Sequence, residues 1–160
     1  MDEIINKEPV QRVIKALESF NKNLKIEILK DTAKTAKDAA NALNCKEGAI
    51  VKSLVFKAEK EFIICLVSGD KRCSLNKLKK IVSKKDVSMA SAEEVKAQTG
   101  FTIGGVSPVG HINSLGIIID KTLERFKSVF AAAGHPNSIF EISFIELKEL
   151  TKGRVEDIIE

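Results

Sequence analysis

Two apolar runs with a short charged break between them constrain this chain most. Ala49 to Lys57 and Glu61 to Ser68 are rich in Ile, Val and Phe, and only Ala58, Glu59 and Lys60 separate them. Runs of that length and composition read as strands, and so short a connection leaves an antiparallel hairpin as the simplest pairing. Helical patterns lie on both sides. Glu8 to Phe20 places Val10, Val13, Ile14 and Leu17 at helical spacing, with Pro9 near its start. Thr35 to Leu43 reads as an alanine-rich helix with Thr35 as N-cap and Asp38 three residues on, close to a capping box. Ser74 to Val82 and Ser91 to Gln98 read as helices, the latter capped by Ser91. Shorter strands are expected at Leu24–Leu29, Val87–Met89, Leu115–Ile119, Ser128–Ala132 and Ile139–Ser143, with a short helix near Leu123 and a last helix over Phe144–Leu150. A hairpin among irregularly alternating strands and helices favours α+β with a mixed sheet over a regular doubly wound fold.

At 160 residues the chain is expected to form one domain over 1–160, with residues 1–22 supplying an N-terminal helix that packs on it. A chain of that length buries roughly 68–70% of its unfolded surface, enough for a core without disulfides or metal. Cys45, Cys65 and Cys73 form no CxxC, and their odd count leaves no complete disulfide framework; Cys65, inside an apolar run, reads as a small buried hydrophobe. Met1-Asp2-Glu3-Ile4-Ile5 lacks a basic segment followed by an apolar one, so no signal peptide is expected. Ala97 to Ile119 carries no formal charge, but its five glycines, proline and histidine do not suit a membrane-spanning helix. A cytoplasmic protein with no membrane partner is the expectation.

Trp and Tyr are absent, which removes tyrosine acid–base chemistry and leaves eight Phe for stacking on bases. The net charge of +4 is unevenly spread: residues 71–85 carry seven Lys and Arg and no acid, leaving −3 for the rest. Local basicity of this kind suits one anionic partner on one face. In a helix over 75–85, Leu75, Leu78, Ile81 and Val82 form the buried stripe and Lys77, Lys80 and Lys84 line the other side. A solvated face or a contact with a phosphate backbone both fit that row, and the lack of interspersed acids favours the second.

Lys52 stands out inside the first strand. The period of two places it on one face with Ile50, Leu54 and Phe56. An unpaired ammonium in a dry core is very costly, so Lys52 either faces a pocket open to water or an anion, or snorkels to solvent at the strand end. Thr99 to His111 contains Gly104-Gly105-Val106-Ser107-Pro108, where adjacent glycines allow positive φ and close approach of a ligand to bare N–H groups. A tight turn between strands is the alternative. The segment is neither a P-loop nor a GxGxxG fingerprint. Ser107 is not a nucleophile of the GxSxG type, because the residue that should donate an oxyanion-hole N–H is Pro108, which has none. Ala133-Gly134-His135-Pro136-Asn137 has turn chemistry, and a histidine held in it can engage a substrate hydroxyl or a water. His111 and His135 lie 24 residues apart with no cysteine or histidine partner near either, so no metal site is expected.

Taken together and in this order, the Lys52 strand, the Gly104–Pro108 loop and the Gly134-His135 turn resemble the YbaK and prolyl-tRNA synthetase editing-domain family, over roughly Leu24 to Leu150. The resemblance implies an α+β domain with a mixed, barrel-like sheet flanked by helices. It also implies an aminoacyl-tRNA deacylase: a free-standing, trans-editing hydrolase that removes a small amino acid such as Ala or Cys from mischarged tRNA for proline. By the same resemblance, Lys52, Gly104 and His135 are the catalytic residues, Gly104 and Pro108 being the ends of a GxxxP loop. Ser53, Gly105, Val106, Ser107, Pro108, Gly134 and Asn137 are implied to bind substrate, while the charge pattern, not the resemblance, assigns Lys77, Lys80 and Lys84 to the tRNA backbone. Family chemistry is metal-free, cofactor-free and substrate-assisted, with a terminal ribose hydroxyl or a substrate thiol taking part. The partners implied are mischarged tRNA and prolyl-tRNA synthetase. Ser53 departs from the Thr or Asn of other branches, which leaves the edited amino acid open. A non-catalytic RNA- or nucleotide-binding module of the same fold, or a hydrolase of a small ester or amide, are the other readings.

Overall fold

The computed structural model describes residues 2–30 and 35–160. Helix α1 (Asp2–Ile5) precedes α2 (Glu8–Phe20), β1 (Ile26–Ile28) and α3 (Ala36–Leu43). The hairpin follows as β2 (Ile50–Ala58) and β3 (Glu61–Ser68), antiparallel from Val51 opposite Ser68 to Ala58 opposite Glu61. Next come α4 (Leu75–Val82), β4 (Val87–Met89), α5 (Ala92–Thr99), β5 (Gly116–Asp120), β6 (Ser128–Ala132), β7 (Ser138–Ser143), α6 (Phe144–Thr151) and β8 (Arg154–Glu156). Short 3-10 turns occupy Glu47–Ala49 and Lys121–Arg125.

The strands form one mixed sheet in the order β1-β7-β6-β2-β3-β5-β8, with β4 added to β2. The β2/β6, β3/β5 and β5/β8 pairs are parallel and the remainder antiparallel. Mixed strand directions and flanking helices agree with the sequence reading. The sheet does not close into a barrel: among the described residues β1 and β8 stand at opposite ends of the order without pairing.

Strand β3 is central and covered on both faces, which is why its sequence is a continuous apolar run rather than an alternation. Ile64 and Leu66 point into a large cluster with Val51 and Val55 of β2, Val13 and Leu17 of α2, and Leu147 of α6. Ile63, Cys65 and Val67 point the other way, against Phe56, Leu78 of α4 and Ile158. Cys65 is fully buried there. A third cluster joins Ala39 and Ala40 of α3 to Ile50 and Ile139. The caps follow the sequence signals: Thr35 Oγ1 accepts the Asp38 N–H, Ser74 that of Lys77, and Ser91 and Glu94 form a reciprocal box. Among the described residues no helix is long and apolar enough to cross a membrane.

Candidate active site

The sheet splits beside β2. β6 pairs with β2 only at Ile50 and Val51, and β4 only from Phe56 to Ala58. The Ala90 N–H extends that second pairing to the Val55 carbonyl at 3.0 Å. Alternate residues of a strand turn their main-chain groups the same way, so those of Ser53 face this side too, between the two pairings and with neither as partner. A cavity of about 480 Å³ opens at the split, and it is lined by β2 residues from both faces, including Val51, Lys52, Ser53 and Leu54. The Ser53 hydroxyl is buried with no hydrogen-bond partner among the described residues. A buried polar group without a partner costs about 1–3 kcal/mol, so a ligand that pairs with it recovers that cost. Exposed Met89 and Ile103 add apolar surface to the cavity from across the gap.

Lys52 lies on the β2 face between Ile50, which packs on α3, and Leu54, which packs towards α4. Its Nζ donates to the Lys71 carbonyl at 2.5 Å. It lines the cavity with its ammonium paired to main chain, which fits the pocket reading of the sequence. Burial pushes the lysine pKa below its ordinary value, while the carboxylates of Glu47, Asp70 and Asp120 oppose that shift and Arg72 adds to it. The turn that carries Lys71 is itself held. Arg125 Nη2 donates to Asp70 Oδ1 and to Ser68 Oγ, each at 2.8 Å, and the Ser68 N–H donates to buried Asp120 at 2.9 Å. Arg125 thereby holds the Asp70 carboxyl below the usual carboxylate range. None of this support was visible in the sequence, because each of these three bonds joins residues 52 to 57 apart.

Gly104 is exposed, lines the cavity and has φ +94°, a conformation that favours glycine. Among the described residues no carbonyl takes its N–H, whereas the Gly105 N–H closes a turn onto the Thr102 carbonyl at 3.0 Å. Gly105 packs against the second loop: a Cβ there would stand 3.0 Å from the His135 nitrogen. Val106 is buried and lines the cavity. Ser107 is fully buried, its Oγ accepting the Val109 N–H at 3.2 Å, and neither it nor Pro108 reaches the cavity.

In the late turn, Pro136 reaches the cavity, while Gly134, His135 and Asn137 do not line it. His135 Nδ1 accepts the Asn137 N–H at 3.0 Å, so the ring proton of the neutral side chain sits on Nε2. Burial and nearby Lys7 lower the pKa of this histidine. Asn137 accepts the Leu29 N–H through its main-chain carbonyl at 2.7 Å and so ties the turn to the segment after β1. Of the residues singled out in the sequence, the cavity therefore joins Lys52, Ser53, Gly104 and Val106, with Gly105 and His135 in backbone contact behind them. Among the described residues no cluster of three His, Cys, Asp or Glu side chains could hold a metal ion.

The basic helix α4 contributes no residue to this cavity, and it ends at Val82 with Ser83 left-handed at φ +56°, so Lys84 lies beyond the helix and off the row expected for 75–85. Lys77 pairs with Asp157 at 2.9 Å and Lys84 approaches Glu61 at 3.9 Å, so tertiary contacts supply acids that the local sequence lacks. Lys80 is exposed.

Comparison with known proteins agrees with this fold. The family model described as aminoacyl-tRNA editing domain matches residues 30–150. YwhH of Bacillus subtilis, itself uncharacterised, is 32% identical over 137 residues, covering 85% of this chain and 87% of that protein. EbsC of Enterococcus faecalis, named as a candidate Cys-tRNA(Pro)/Cys-tRNA(Cys) deacylase, is 26% identical over 125 residues, covering 78% of this chain and 76% of EbsC. The proline–tRNA ligase of Caldicellulosiruptor saccharolyticus is 26% identical over 132 residues, which is 82% of this chain but 22% of the ligase. A crystal structure described as a candidate trans-editing enzyme for prolyl tRNA synthetase superposes with a TM-score of 0.91 at 41% identity, covering 96% of this chain and 98% of that one. With residues 30–150 of its 160 matched by that family model, the chain belongs to the aminoacyl-tRNA editing domain family.

Proposed function

We propose that the protein is a free-standing, trans-editing deacylase that hydrolyses a small amino acid, Ala or Cys, from mischarged tRNA for proline. The observation that carries this reading is that Lys52, Ser53 with its orphaned hydroxyl, and Gly104 with its unpaired N–H all line one cavity at the split edge of β2. In the reaction, water attacks the ester carbonyl and the bond from that carbon to the ribose oxygen breaks. The amino acid leaves as its carboxylate and the ribose oxygen takes a proton. The Gly104 N–H donates to the oxygen that gains charge as the tetrahedral intermediate forms. Lys52 holds the terminal phosphate or the developing anion, and the Ser53 hydroxyl and main chain engage the polar end of the aminoacyl group. A ribose hydroxyl of the terminal adenosine helps to activate water; alternatively the thiol of a cysteinyl substrate attacks the same carbonyl carbon, the bond to the ribose oxygen breaks, that oxygen takes the thiol proton, and water then opens the resulting thiolactone to free cysteine, with no metal or cofactor taking part in either route. His135, with Nδ1 already engaged, offers Nε2 to the acceptor end. Gly105, Val106, Ser107, Pro108, Gly134 and Asn137 hold the two loops in place around the substrate. The apolar lining from Val51, Val55 and Ala90 suits a small side chain and excludes a larger correct one, as in a double sieve.

Mischarged tRNA is the substrate and partner, with prolyl-tRNA synthetase as the enzyme whose errors are corrected in the cytoplasm. The exposed Lys80, with Lys77 and Lys84 once freed from their acids, contacts the tRNA backbone. The test is release of the amino acid from Ala- or Cys-charged tRNA for proline by the purified protein, measured with a strong chelator present. Tight binding without turnover would instead identify an RNA-binding module, and hydrolysis of minimal esters without tRNA a small-ester hydrolase.

A further inference from the structure

The family match begins at residue 30, yet α2, over residues 8–20, packs its main chain closely against both candidate loops. Arg12 is the centre of these contacts. Its Nε donates to the Gly110 carbonyl at 2.8 Å and its Nη2 to the Thr99 carbonyl at 3.4 Å, while its guanidinium lies 4.8 Å over the ring of fully buried Phe101. Glu8 pairs with the remaining side of the fork. The His111 ring also contacts Phe101, edge-on at 5.8 Å, and its Nε2 donates to the Ser107 carbonyl at 2.6 Å. The loop is closed at its base by the Ile112 N–H on the Thr99 carbonyl at 3.2 Å. The carbonyls of Thr99, Ser107 and Gly110 are thus held by two side chains that both contact the Phe101 ring. Thr102, Ile103 and Gly104 are left as the exposed tip.

Glycines let the helix come close enough to do this. A Cβ on Gly110 would stand 3.2 Å from the Arg12 carbonyl carbon, and one on Gly134 only 2.8 Å from that of Pro9. Gly105 packs on the same turn, so helix, loop and turn meet main chain to main chain. A contact of that kind does not yield gradually.

We propose that α2 is the positioning element of the site and Arg12 its positioning residue, setting through the Phe101–His111 stack where the Gly104 N–H stands relative to Lys52. The planar fork matters here: a lysine keeps the charge but cannot reach two carbonyls while stacking on the ring. The catalytic consequence rests on the deacylase reading, but the structural one does not, and the two are read separately. In the full chain, Arg12→Gln, Arg12→Lys and Phe101→Leu are compared with wild type by amide hydrogen exchange and by deacylation of mischarged tRNA for proline. Exchange is expected to rise at least about tenfold over residues 100–112 and 133–138 and to stay unchanged in the β2–β3 hairpin. The kcat is expected to fall about ten- to a hundredfold with KM within about threefold, the pattern of a misplaced group that acts in the transition state. Arg12→Lys should restore little of either. If Arg12→Gln fails to fold, Phe101→Leu, which keeps the charge and removes the ring, gives the same two readouts. Unchanged exchange in the loop, exchange raised uniformly, raised exchange with full kcat, or full rescue by lysine would each overturn the proposal. An inactive wild type would sink the deacylase reading alone. Exchange confined to the two segments would then still support the positioning role, and its absence would still overturn it.

Discussion

Replacing Lys52 by Met separates catalysis from folding. Methionine keeps an unbranched apolar stem of similar volume against Ile50 and Leu54, with a sulfur in place of one methylene, and removes the ammonium, so little void opens between the two clusters that flank it. Two effects on stability oppose each other. The Lys71 carbonyl loses a charged donor, a net of about 1.5–3 kcal/mol, and the half-buried charge no longer has to be desolvated. Lys71 is only partly buried, so water can take over its carbonyl. The residual should be within about 1 kcal/mol, or about 2–4 °C in Tm for a chain of this length. Activity should respond far more. Losing one oriented electrostatic group costs about a hundredfold in rate, or about 2.7 kcal/mol of barrier. Ser107→Ala is the control: its hydroxyl serves the Val109 N–H inside the loop, and its loss should keep activity within about tenfold, about 1.4 kcal/mol. Single-turnover deacylation and thermal melts on both variants decide the matter. A folded Lys52→Met within about threefold of wild type would refute the assigned role. A dead Ser107→Ala beside an active Lys52→Met would revive a covalent serine mechanism.

Gly104→Ala meets only Pro136 Cγ at 3.7 Å, so its cost is conformational, about 1–2 kcal/mol for a side chain at φ +94°, and should appear as a lower Tm; an unchanged Tm would mean that the loop does not need this conformation. Replacing exposed Lys80 by Gln should flatten the slope of log K against log salt for tRNA binding by about 0.7–0.9, and replacing Lys77, Lys80 and Lys84 together by roughly two units. A slope unmoved by the triple replacement would return this helix face to solvent. Burial lowers the pKa of His111 most, with Arg12 adding to the shift and the Ser107 carbonyl opposing it. The unfolded chain therefore takes up the proton first, so this stability is complete above the ordinary histidine pKa of about 6.5 and is lost as pH falls below it. His135, also lowered, acts in the same direction. Melts should show Tm falling between about pH 7 and 5, less steeply in His111→Gln, and a Tm that rises on acidification would contradict the assignment.

Local pattern made most of the frame legible. The hairpin is an apolar run covered on both faces, and Thr35, Ser74 and Ser91 announce their helices through side-chain caps. β8 escaped notice because Arg154-Val155-Glu156 has neither length nor apolar alternation, and becomes a strand only by pairing with β5. Lys52 was legible for the opposite reason, as the one charge on an apolar strand face. What surrounds it was not, since Ser68, Asp70, Asp120 and Arg125 meet only when β3 and β5 lie side by side. The basic row illustrates the same limit: Lys77 finds its acid 80 residues away. The turn residues were legible as turn formers, but the use of His135 Nδ1 by the Asn137 N–H is a matter of ring orientation that spacing does not encode.

The most direct test compares initial rates of amino acid release from Ala-, Cys- and Pro-charged tRNA for proline, with purified protein, no synthetase and a strong chelator present. Release of Ala or Cys well above the spontaneous rate, with Pro-charged tRNA left intact, is the predicted result. Hydrolysis of none of them, or loss of activity on chelation that zinc restores, would contradict a metal-free editing site built on Lys52 and Gly104.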